Sequence, residues 1–186
     1  VYNAFAAPAG HVFIHSGLIS AMDSENELAG ILAHEIAHVY CRHISEKIEK
    51  SKTLSLATLA GITAGIFLGS GALAIGSAAA GQAASLAYSR QDERQADQIG
   101  VQYMASANYS ARGLLAILKK IKDKHWFSEL EVPTYLTTHP GTDERIIYID
   151  SMLASDRYRP QNPQPPESEK DFRLLRTIVT ATCEDV

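Results

Sequence analysis

A chain of 186 residues with 46% apolar side chains is long enough for one globular domain with its own core, and its composition excludes a disordered or collagen-like protein. The net charge of -4, with no long block of Lys or Arg, argues against nucleic acid as a partner. Two cysteines, Cys41 and Cys183, are too few for a disulfide framework or a cysteine-based zinc cluster.

In chain order, the first element is a hairpin. Residues 1–20 hold two short β-prone runs parted by Pro8, Ala9 and Gly10, the one clear strand signal. The chain begins at Val1 without a methionine and stops in a short acidic tail, which reads as an excised piece whose targeting segment has been removed. Ser24 followed by Glu27 is a capping-box pair, in which hydroxyl and carboxylate each satisfy a free amide at a helix start. The helix it opens is expected to run to about residue 51. Leu28, Leu32, Ile36 and Val39 recur at helical steps as its buried stripe, and Ala29, Ala33 and Ala37 let a neighbour come close.

Residues 53–89 contain no charged side chain. Residues 54–75 are long enough to cross a bilayer, and Gly61, Gly65 and Gly69 repeat the spacing that lets helices approach closely. Ser, Thr and Gly dilute the run, so a membrane-touching hairpin and a buried helix pair both fit. Residues 90–107 return to a charged helical pattern, with Asn108 as its stop and Ser110 as the cap of a further amphipathic helix to about Lys124. Residues 134–140 read as a loop. Thr142 is placed to cap a last core helix carrying Ile146, Ile147, Ile149 and Leu153. The expected division is a domain over residues 1–158, a Pro-rich linker over 159–169, and a helical segment over 170–186 that docks on this domain or leads into another.

The chemistry centres on His34-Glu35-Ile36-Ala37-His38. On a helix the two imidazoles stand one turn apart on the same face and can grip one ion, and zinc suits them best. Two His and one carboxylate leave an open position, the pattern of catalytic rather than structural zinc. Glu35, adjacent but not a ligand, is placed to take a proton from water and return it to the leaving amine. The third ligand lies elsewhere, since the residue six past His38 is Ile44 and the pattern with a third His there fails. His43, on the same continuous helix, would point well away from the His34/His38 face. Glu93 is the candidate ligand and Asp97, one turn on, the carboxylate that orients a ligating His; a merely solvated charged face is the competing reading.

These segments resemble a known family, the gluzincin proteases grouped with HtpX, BepA and the Ste-type prenyl-protein proteases, or metallopeptidase family forty-eight. The resemblance is carried by Asn3-Ala4-Phe5-Ala6, by the run from Glu27 through His38, by the run from Tyr88 through Asp97, and by Thr138-His139-Pro140 with Glu144-Arg145-Ile146. It implies Glu93 as third ligand and Asp97 as an orienting or proton-donating residue. It also implies a mainly helical α+β, zincin-like fold with a small antiparallel sheet, whose edge strand near residues 12–18 pairs with an extended substrate. The alanine- and glycine-rich composition of residues 53–89 is closer to periplasmic, BepA-like members than to a committed membrane span.

His139 is a candidate to stabilise the oxyanion or to cover the open zinc position, against the alternative of a plain loop histidine. Arg145 could act likewise or simply pair with Glu144 or Asp150. The expectation is a zinc endopeptidase of the bacterial envelope, binding one zinc ion and acting on unfolded or misassembled polypeptides, with membrane contact through residues 53–89. The competing expectations are a zinc-bound chaperone, a latent protease capped by His139, and a membrane-embedded protease.

Overall fold

A computed structural model describes residues 2–50, 88–123, 134–160 and 166–183. The chain enters through the expected hairpin. Strands β1 (Ala4–Ala7) and β2 (His11–Ile14) pair antiparallel, with Ala4 opposite Ile14 and Ala7 opposite His11. Ala9 and Gly10, both at positive φ, turn the chain between them. β2 ends at Ile14 and does not run on toward Leu18. Ser16–Ala21 is helix α1, because Leu18 and Ala21, three residues apart, both enter the core.

Helix α2 (Glu25–Tyr40) is the central element. Ser24 Oγ accepts from the Glu27 amide at 3.3 Å, as predicted. The Glu27 carboxylate does not reciprocate to Ser24; it accepts from the Asp23 amide at 3.0 Å and from Lys120 Nζ at 2.7 Å. The helix expected to continue to about residue 51 breaks at Cys41 and Arg42, where Arg42 sits at φ +57°, and resumes as α3 (His43–Lys50).

The predicted buried stripe is not the buried one. Ile36 is 48% exposed and Leu28, Leu32 and Val39 are half-buried, whereas Gly30, Ile31, Ala33, His34, Ala37 and His38 face inward. Small residues decide this. Helix α4 (Arg90–Ser106) and helix α5 (Arg112–Lys122) cross α2 at near backbone contact. A Cβ on Gly100 of α4 would lie 3.3 Å from the Ala33 carbonyl carbon, and one on Gly30 would lie 2.7 Å from Leu114 Cα. A Cβ on Gly113 would meet the Asn26 carbonyl oxygen at 2.1 Å. Gly113→Ala must therefore push the start of α5 off α2, and a loss of about 1–3 kcal/mol is expected from overpacking. Urea unfolding measures it; an unchanged midpoint would mean that the two helices part freely.

Helix α4 opens on a complete capping box between Ser89 and Asp92 and ends at Ser106, and Asn108 just beyond it takes the left-handed conformation (φ +62°). Helix α5 is not capped by the Ser110 side chain; the Ser110 amide instead donates to Asn26 Oδ1 at 2.7 Å. Residues 134–140, expected as a loop, include the helical turn α6 (Thr134–Thr138). Its Tyr135 is fully buried, and the Tyr135 amide donates to the Tyr2 carbonyl at 3.2 Å, tying this turn to the hairpin. Helix α7 (Thr142–Leu153) starts after left-handed Gly141 with no side-chain cap from Thr142.

The core lies between α2, α4, α5 and α7, with Ile31, Met104, Leu114, Ile117, Leu118 and Ile149 at its centre. Helix α8 (Pro166–Cys183) begins inside the stretch read as a linker and packs on α1, with Phe172 buried and Arg176 Nε donating to the Ser20 carbonyl at 3.1 Å. The uncharged stretch 53–89 lies outside the described residues, save Tyr88 and Ser89. No helix among the described residues is long and apolar enough to cross a membrane.

Candidate functional site

His34 and His38 stand one turn apart on the inner face of α2, their Nε2 atoms 3.0 Å from each other. Glu93, in the first turn of α4, brings its carboxylate between them: Oε2 is 3.4 Å from His34 Nε2 and Oε1 3.4 Å from His38 Nε2. The close crossing of α2 and α4 at Gly100 makes this reach possible. His139, in the short link between α6 and α7, joins the same group, with Nδ1 3.0 Å from Glu93 Oε1 and 3.4 Å from His34 Nε2. One nitrogen or oxygen from each of the four lies within 4.8 Å of the others, and all four side chains are buried. Imidazole nitrogens with one carboxylate oxygen form a donor set suited to a borderline divalent cation such as zinc.

Glu35 is fully buried beside this cluster. Neither of its oxygens has a hydrogen-bond partner among the described residues, and the closest ionisable contact is His139 Nε2 at 3.5 Å. A buried carboxylate without a hydrogen bond is costly to fold, which favours a chemical reason for keeping it. Burial also raises its pKa above the usual carboxylate value.

Asp97 follows Glu93 by one turn. Its Oδ1 lies 2.9 Å from His34 Nδ1, which fixes a proton there and leaves Nε2 as the nitrogen that faces the cluster. Arg145 holds Asp97 in a two-pronged grip, Nε and Nη2 each at 2.8 Å, and its Nη1 lies 2.6 Å from Glu93 Oε2. Tyr148 adds an O–H bond to Asp97 at 2.7 Å. The local pairing considered for Arg145 is not formed; Glu144 pairs instead with Arg90 at the surface.

These charges set the protonation of the site. Burial by itself would raise Glu93 and Asp97. The His139 and Arg145 charges on the first, and Arg145 with the His34 bond on the second, outweigh burial and hold both carboxyls below their ordinary range. Burial and Arg145 push His34 down, but the Asp97 and Glu93 carboxylates hold it up at about 9. Burial drives His38 well below its usual value, leaving a neutral imidazole.

His43 corrects the sequence reading. The break at Cys41 and Arg42 turns it back onto the site, where it is buried with Nδ1 2.9 Å from His38 Nδ1 and Nε2 3.1 Å from Gln95 Oε1. Two rings were also missed as site residues: Tyr88 stacks on His38 at 3.7 Å between centroids, and Tyr135 on His139 at 4.3 Å. Tyr88 entered the sequence reading only as part of a family motif, and no periodicity marks Tyr135.

A mainly helical domain with a two-stranded sheet and a central His-Glu-x-x-His helix, facing a Glu from a second helix, has the architecture of a zincin-like metalloprotease. The chain belongs to Peptidase family M48, whose description matches residues 1–153, and is a metalloprotease domain. It is similar to the beta-barrel assembly-enhancing protease of Yersinia pestis, 32% identical over 181 residues that cover 94% of this chain and 36% of the relative. The protein of the same name from Escherichia coli is 31% identical over 185 residues, 94% of this chain and 36% of the relative. The mitochondrial metalloendopeptidase OMA1 of Saccharomyces cerevisiae is 30% identical over 157 residues, 81% of this chain and 43% of the relative. The chain thus spans less than half the length of these curated relatives.

Proposed function

We propose that this chain is the catalytic domain of a zinc-dependent endopeptidase in which His34, His38 and Glu93 hold one zinc ion and Glu35 is the proton carrier. The supporting observation is the meeting of these ligand-type atoms, within 4.8 Å, beside a buried carboxylate that has no hydrogen-bond partner among the described residues. A zinc ion held there would supply a Lewis acid that polarises the substrate carbonyl and acidifies water. Glu35 accepts the proton of the attacking water and passes it to the departing amine, a task matched to a carboxyl raised by burial. Asp97 orients His34, and Arg145 orients Asp97. An extended polypeptide lies along β2, whose outer edge is unpaired among the described strands.

In this reading residues 1–158 form the protease domain, and helix α8 (Pro166–Cys183) is carried on it. Similarity to beta-barrel assembly-enhancing proteases supports unfolded or misassembled envelope proteins as substrates and a periplasmic or envelope location. The uncharged residues 53–89 are the proposed place of membrane or membrane-protein contact.

A latent form of the same enzyme has its own support. His139 sits among the ligand atoms, and Glu35 and the cluster have no exposed surface, so a substrate carbonyl reaches them only after some of the covering structure moves, with His139 the candidate cap. Metal analysis of the purified chain with casein degradation, beside His139→Ala, separates the readings. About one zinc per chain with cleavage supports the endopeptidase, and faster cleavage by His139→Ala is expected. Cleavage only by His139→Ala marks the resting enzyme as latent. Zinc without cleavage by either protein turns the balance to a zinc-bound chaperone.

A further inference from the structure

We infer that His43 and Gln95 form a proton-ordering relay that fixes which nitrogen of His38 faces the metal, making His43 a positioning residue for the centre. The inference rests on the proposal that His38 is a ligand. His38 can offer Nε2 to a cation only if its ring proton sits on Nδ1, and a buried N–H needs an acceptor. The atom 2.9 Å from His38 Nδ1 is His43 Nδ1, which accepts only when the His43 proton sits on the opposite nitrogen. That nitrogen, Nε2, lies 3.1 Å from Gln95 Oε1, an oxygen that can only accept. Each bond thus dictates the next: Gln95 takes the proton of His43, and His43 takes the proton of His38. Run in reverse, the relay would put a hydrogen on His38 Nε2, aimed at His34 Nε2 3.0 Å away and at Glu93.

The two ligating imidazoles are therefore oriented by different means. Asp97 does it for His34 with a carboxylate acceptor, and His43 with Gln95 does it for His38 through an imidazole nitrogen and an amide oxygen, with Asp92 Oδ1 3.9 Å from His43 Nε2. The left-handed Arg42 is what allows this. On an unbroken helix, at roughly 100° per residue, His43 would lie about 140° around from His38 and could not reach its ring. The break after Tyr40 brings it back.

The test is zinc affinity by competition with a chromophoric chelator for wild type, His43→Leu, His43→Asn and Gln95→Leu, with circular dichroism confirming folding. His43→Leu is expected to weaken zinc by about 10–100-fold, the usual cost of losing a group that orients a ligand. His43→Asn, whose Oδ1 replaces the accepting Nδ1, is expected to recover most of that loss. Gln95 is exposed, so Gln95→Leu should fold normally and bind zinc several-fold more weakly. If His43→Leu does not fold, Gln95→Leu and the wild-type spectrum decide. Nitrogen-15 spectra of the zinc-loaded wild type should show His43 protonated on Nε2 and His38 on Nδ1. Unchanged affinity in His43→Leu, no recovery by Asn, unchanged affinity in Gln95→Leu, or a His43 proton on Nδ1 each overturns the relay. Failure of the ligand reading looks different: wild type would take up no zinc, or His38→Ala would bind it as tightly as wild type, and the relay would fall with it.

Discussion

Glu35→Gln is expected to slow casein degradation by about 10²–10⁴-fold, the range associated with a lost general acid–base group, while zinc content stays at the wild-type value. The shape of the side chain is kept and its capacity to accept a proton is removed. Because neither Glu35 oxygen has a hydrogen-bond partner among the described residues, where the nearest ionisable neighbour is His139 Nε2 at 3.5 Å, the neutral amide also relieves the cost of burying a carboxylate. The variant should therefore be as stable as wild type or up to about 2 kcal/mol more so, the sign expected where a residue is kept for chemistry at a cost in folding. Metal analysis, urea unfolding and a casein assay on the two proteins check all three statements. A variant that degrades casein at the wild-type rate removes Glu35 from the mechanism, and one that loses zinc makes it part of the metal centre.

What could be read from sequence follows the range of the interactions. His34, Glu35 and His38 were legible because helix geometry alone places the two imidazoles together. The Ser24 helix start was legible because capping is local, and the hairpin because Pro8 and Gly10 mark its turn. The inward face of α2 was not. Ranking apolar residues by helical step selects Leu28, Leu32 and Ile36, but the face that packs is chosen by Gly30 and by Gly100 and Gly113 on its neighbours, which permit near backbone contact. Polar His34 and His38 lie on that face and mask its periodicity. The break before His43 carries no Gly or Pro; only the observed φ of Arg42 reveals it. Arg145 had plausible acidic neighbours at Glu144 and Asp150, and its actual partners, Glu93 and Asp97, are 52 and 48 positions away, beyond any local rule.

That long-range pairing gives Arg145→Leu the largest expected loss of stability, about 3–5 kcal/mol in the metal-free chain. Removing the guanidinium leaves Asp97 with Tyr148 and His34, and Glu93 with the neighbouring imidazoles, both carboxylates still buried. Arg145→Lys restores a charge but not the two-pronged geometry, so it should fall between Leu and wild type. The pH dependence has a definite sign. In wild type both carboxyls have depressed folded pKa values, so their contribution is fully present above about pH 5 and is lost as pH falls. In the variant the uncompensated carboxylates are relieved by protonation, so the gap between the two proteins should narrow on acidification. Zinc should narrow it too, because a bound cation takes over the neutralisation of Glu93 and stabilises only the folded chain. Urea unfolding of chelator-treated and zinc-loaded samples from about pH 7 down to pH 4 measures both trends. A variant within about 1 kcal/mol of wild type at neutral pH without metal would mean that Asp97 and Glu93 are held by their other partners, and that Arg145 serves the reaction and not the fold.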